Sequence, residues 1–107
     1  MKKESDVKDA VKKVLKSYGD KVWWFMPVPH GYGVQGIPDF ICSVRGRTVA
    51  IETKFGNNGL TPYQVKQMYA ITASGAAHMV INEGNVQHVQ AIMDGIMALE
   101  ESNASSS

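Results

Sequence analysis

Apolar positions in the first stretch of the chain return every three or four residues. Val7, Ala10, Val11, Val14, Leu15 and Tyr18 fall on one helical face. The spacing predicts an amphipathic helix from Glu4 to Tyr18 that Gly19 ends. Lys8, Lys12 and Lys16 form a separate stripe, whereas Glu4 prolongs the apolar one. A carboxylate on the core side needs a reason, and the positive end of the helix dipole supplies one.

The pattern then shortens. Val22–Val28 has strand composition, weakened at its end by Pro27 and Pro29. Asp39–Val44 and Arg47–Lys54 read as two strands around Arg45-Gly46, and Ala77–Ile81 as a short buried strand. Thr61-Pro62 opens a helix that Gly75 ends, and Asn85 starts a last helix carrying Val86, Val89, Ile92, Met93, Ile96 and Leu99. The glycine-rich segments His30–Gly36 and Phe55–Leu60 are loops. The order αβββαβα predicts an α/β (or α+β) mixed sheet flanked by helices. Residues 1–101 form one expected domain, and the serine-rich residues 102–107 an expected disordered tail.

With 107 residues there is room for one core. The lone Cys42 excludes an internal disulfide and points to a reducing, intracellular setting. No apolar run is long enough for a membrane span, and the lysine-rich start lacks the apolar segment of a signal peptide. The net charge of +1 hides an asymmetry: residues 1–54 carry a net +4 and residues 55–107 a net −3. A basic first half suits a polyanionic partner, although solvated helices carry as many lysines.

The candidate chemistry lies in the middle hairpin. With Arg45-Gly46 as a two-residue turn, Val44 faces Arg47, and the ladder counts down to Asp39 opposite Glu52. Facing Cβ atoms stand about 5 Å apart, and like charges placed there repel. Period-two alternation puts Lys54 on the face of Glu52. Two such carboxylates favour a cation between them, and oxygen donors without His or Cys suit Mg²⁺ or Mn²⁺. An ion there would activate water for phosphodiester hydrolysis, with Lys54 positioning the water or balancing charge on the phosphate. The same three side chains also read as an inert surface ion-pair cluster.

Gly36-Ile37-Pro38-Asp39, a gap of twelve residues and then Glu52-Thr53-Lys54 resembles the PD-(D/E)xK signature of restriction-endonuclease-like nucleases. Glu4-Ser5-Asp6-Val7 on the first helix and Leu60-Thr61-Pro62-Tyr63-Gln64 entering the second extend the likeness. Together these pieces resemble the VRR-NUC family (virus-type replication-repair nucleases) in its stand-alone phage form. The pieces span residues 4–64, and the elements through Leu99 fit the same core.

The resemblance implies a metal-dependent endonuclease with Asp39, Glu52 and the Thr53 carbonyl as metal ligands. It makes Lys54 the catalytic lysine and Glu4 an acid at the edge of the metal site. Gln64 would lie near that site, though Thr61 and Gln64 also have the spacing of a capping box. Further implications are Mg²⁺ or Mn²⁺ as cofactor, branched DNA such as Holliday junctions as substrate, a homodimer, and the cytoplasm of a phage-bearing bacterium. The acidic, methionine-bearing second half is the expected dimer interface. Two rival readings remain: a nucleic-acid-binding or assembly module of the same fold that does not cleave, and a nuclease acting on RNA.

Gly31 to Gly36 spells GxGxxG, but a strand rather than a helix follows, so no helix N-terminus faces a pyrophosphate. The segment reads instead as a flap beside the carboxylates, where His30 and Tyr32 are candidate nucleic-acid contacts. Arg45 and Arg47 at the hairpin tip are candidate phosphate contacts. Trp23 and Trp24 alternate faces, so at least one belongs to the core.

Overall fold

Two consecutive left-handed residues, Arg45 (φ 52°) and Gly46 (φ 79°), close the central hairpin. That turn twists with its strands and sets their register. β2 (Phe40–Val44) and β3 (Arg47–Thr53) pair antiparallel from Val44↔Arg47 to Phe40↔Ile51, as the turn chemistry predicts. β1 (Trp23–Phe25) pairs antiparallel with β2 through Trp24↔Cys42. β4 (Ala77–Ile81) pairs parallel with β3 through Ile51↔Met79. The sheet is therefore mixed, in the order β1-β2-β3-β4. This computed structural model describes every residue except His30, Tyr32 and Ser107, and the side chains of residues 103–106 are also left aside.

α1 (Glu4–Lys16) and α3 (Gln87–Ser106) pack against each other and against one face of the sheet. Val7, Val11 and Leu15 of α1 and Val89 and Met93 of α3 meet Phe40, Cys42, Val49, Ile51 and Ile81 there. Trp24 closes the β1 side of this core, its ring 5.9 Å from that of Phe40. The Tyr18 hydroxyl donates to Asp94 Oδ1 at 2.7 Å and ties the end of α1 to α3. The opposite face carries α2 (Pro62–Ala73), which lies along β4 and has no fully buried residue.

Several boundaries differ from the expectations, for identifiable reasons. β1 stops at Phe25 because the prolines at 27 and 29 lack the N–H that a strand needs. α1 ends at Lys16, and a 3₁₀ turn over Gly19–Lys21 follows, with Gly19 left-handed at φ 59°. Asn85 stands before α3 rather than within it, accepting from the Asn82 N–H and donating to the Val80 carbonyl. α3 runs on to Ser106, across residues for which composition predicts a disordered tail. Helical hydrogen bonds propagate along the chain past the last packed turn.

Candidate active site

Asp39 and Glu52 are the pair that continues the ladder one step beyond Phe40↔Ile51. Asp39 is delivered by Gly36-Ile37-Pro38, and Gly36 has no substitute in this position. It sits at φ 80°, and a Cβ on it would stand 2.3 Å from the Tyr63 carbonyl oxygen. The loop is thus pressed onto the first turn of α2. That turn is fixed in its own right: the Thr61 N–H donates to Gln64 Oε1 at 2.9 Å, and the Gln64 N–H to Thr61 Oγ1 at 3.2 Å. Hairpin end, loop and helix start together enclose a cleft of about 550 Å³ lined by Pro27, Val34, Gly36, Asp39, Glu52 and Gln64 among others. His30 and Tyr32 lie outside the described residues.

The two carboxylates have different surroundings. Asp39 Oδ2 accepts from the Thr53 N–H at 2.8 Å and from the Thr53 hydroxyl at 2.6 Å, bonds that fix the carboxylate in place. Its Oδ1 lies 3.7 Å from the Lys8 ammonium. Glu52 is only 2% exposed, and its Oε2 has no hydrogen-bond partner among the described residues. Its pKa is pushed up to about 8, first by burial and then by the charge and hydrogen bond of Asp39. Lys54 opposes that shift and Glu4 adds to it, so three charged groups act on Glu52. An orphaned, buried carboxylate oxygen beside a fixed anion is costly unless a cation meets it.

The donor set suits a divalent ion. Among the described residues no three His, Cys, Asp or Glu side chains stand close enough to share one, so Asp39 and Glu52 are the two side-chain ligands available. A main-chain carbonyl such as that of Thr53 would make the set all oxygen, the preference of Mg²⁺ and Mn²⁺. Glu4, expected at the edge of the metal site, adds its charge to the surroundings of Glu52. It turns along its own helix to Lys8, with Oε2 3.8 Å from the ammonium. Lys54 follows β3, its N–H donating to the Ile81 carbonyl at 2.9 Å. Gln64 caps α2 and is also among the residues that line the cleft.

Lys8 is the residue that sequence reasoning misses. Helical spacing assigns it to a solvated stripe, although it stands one turn after Glu4 and so shares that residue's neighbourhood. Val44 and Arg47 are five ladder steps from the carboxylate end, about 17 Å at the usual rise per strand residue. Arg47 donates its Nε to Glu100 Oε1 at 2.9 Å, which ties the hairpin tip to α3.

No family model matches the sequence, and no curated protein does. A solved structure described as "VRR_NUC domain" is similar in three dimensions, with a TM-score of 0.66 at 20% identity, over 85% of this chain and 94% of that one. The fold is that of a VRR_NUC domain. The likeness covers the mixed four-stranded sheet and the helices that flank it. Among the described residues no helix is long and apolar enough to cross a membrane.

Proposed function

We propose that the protein is a divalent-metal-dependent endonuclease that hydrolyses phosphodiester bonds in DNA, selective for branched structures such as Holliday junctions. The observation that carries this reading is Glu52: a buried carboxylate with an orphaned oxygen, facing a fixed Asp39 and a nearby lysine inside a cleft. The fold shared with a solved VRR_NUC domain supports nuclease chemistry.

Asp39, Glu52 and the Thr53 carbonyl would hold Mg²⁺ or Mn²⁺, which supplies Lewis acidity towards a phosphate oxygen and towards water. Thr53 holds Asp39 through Oδ2, which fixes the carboxylate at the edge of the cleft. Lys54 brings positive charge to the place where negative charge accumulates as water attacks phosphorus and the opposite P–O bond breaks. The cleft beside the Gly36 loop, about 550 Å³, is where a nucleic-acid strand would approach the two carboxylates. A chain of this size offers little surface to grip a duplex, so a homodimer that presents two sites to paired strands is part of the proposal. Tyr63 and Tyr69 of α2, both largely exposed, lie in the acidic half where its interface is placed.

Cleavage of labelled four-way-junction, flap, duplex and RNA substrates in Mg²⁺, Mn²⁺ or EDTA tests the reading, with Lys54→Ala alongside. Metal-dependent cutting of the junction that the variant lacks is expected. Binding without cutting in either metal would overturn it, and preferential cutting of RNA would reassign the substrate.

A further inference from the structure

Lys8 joins two elements at the site. Its Nζ stands 3.7 Å from Asp39 Oδ1 at the hairpin end and 3.8 Å from Glu4 Oε2 on its own helix. One ammonium thus bridges two carboxylates from separate parts of the chain. In phosphodiesterases with two metals the ions sit about 4 Å apart and share a carboxylate. We propose that Lys8 takes the place of a second ion, so that this site works with a single divalent cation between Asp39 and Glu52. This inference rests on the metal-nuclease reading above.

Three observations converge on it. Asp39 already spends one oxygen on Thr53, and Lys8 stands beside the other. Glu4, the acid that would complete a second metal site, is turned to Lys8 and does not gather with Asp39 and Glu52 into a three-ligand cluster. The charges also count out. With Glu4, Asp39 and Glu52 ionised against Lys8 and Lys54, the site carries one net negative charge. One divalent ion and one phosphodiester anion then bring it to neutrality, whereas two ions would leave two uncompensated positive charges. Lys8 is a positioning residue: it orients Asp39 and fixes the charge at that flank.

Mn²⁺ titration followed by electron paramagnetic resonance and calorimetry tests the proposal without any cleavage. The wild type, Lys8→Met, Lys8→Arg, Glu4→Gln and Glu52→Gln are compared, each checked for folding by thermal melt. One Mn²⁺ per chain is expected for the wild type and for Glu4→Gln, and none for Glu52→Gln. Lys8→Met, freed of a neighbouring positive charge, should bind that ion at least fivefold more tightly, while Lys8→Arg stays within twofold of wild type. Two ions per wild-type chain, loss of the ion in Glu4→Gln, or unchanged affinity in Lys8→Met would overturn the inference and leave the nuclease reading standing. A wild type that binds no Mn²⁺ would overturn both.

Discussion

The two faces of the sheet are built on different terms. On the face under α1 and α3, Phe40, Val49, Ile51 and Ile81 reach zero exposure against Val7, Val11, Leu15, Val89 and Met93. On the face under α2, Trp23 remains 62% exposed and Phe25 44%, and α2 itself buries nothing completely. The closed face holds Cys42, whose thiol burial pushes up to about 12, leaving it an inert packing group. The open face holds Glu52, also buried but ionisable and without a full set of partners. One face supplies the stability that lets the other keep an unsatisfied carboxylate.

Truncation in the closed face should have the largest effect. Phe40→Ala removes a fully buried ring from the centre of the cluster, and a loss of about 4 kcal/mol is expected in denaturant unfolding. A loss under about 1 kcal/mol would mean that this face does not carry the fold. Gly36→Ala forces a Cβ into the Tyr63 backbone at a left-handed position, at a cost of about 3 kcal/mol, with a matching fall in cleavage as Asp39 shifts. Gly46→Ala is the control: its φ is similarly positive, but open space surrounds it, so about 1 kcal/mol of stability goes and cleavage is unchanged.

The open face should also show itself in pH dependence. The Glu52 carboxyl is pushed up to about 8 from an ordinary 4.5, by burial first and by Asp39 second. Between those values the folded chain keeps a proton that the unfolded chain has released. Metal-free stability should therefore fall by roughly a few kcal/mol as pH rises from 4.5 towards 8, and then level off. Glu52→Gln should remove most of that slope and be the more stable protein at pH 8. Equal slopes in the two proteins would show that Glu52 titrates normally. The smallest effect belongs to the exposed edge, where Trp23→Ser should change stability by no more than about 0.5 kcal/mol.

What is readable from the sequence follows the same division. The hairpin register comes from turn chemistry and alternation, both local, and it carries Asp39 opposite Glu52 with it. The apolar stripe of α1 likewise locates Val7, Val11 and Leu15 in the core. Alternation alone says that one of Trp23 and Trp24 faces the core; deciding that it is Trp24 requires the β1–β2 pairing, a contact between segments far apart in sequence. Lys8 and the Glu4 turn towards it are hidden for the same reason, because the partner that gives them meaning is Asp39, 31 residues on. The contact of Arg47 with Glu100, more than 50 residues away, is equally out of reach of local sequence reasoning.

The most direct test of the central claim is the melting temperature at pH 8 with and without saturating Mn²⁺, in wild type and in Glu52→Gln. If the orphaned Glu52 oxygen and Asp39 hold the ion, Mn²⁺ at a hundred times its Kd should raise the wild-type midpoint by about 10 °C. It should leave Glu52→Gln where it was. A wild-type midpoint indifferent to Mn²⁺, or an equal rise in both proteins, would contradict the account.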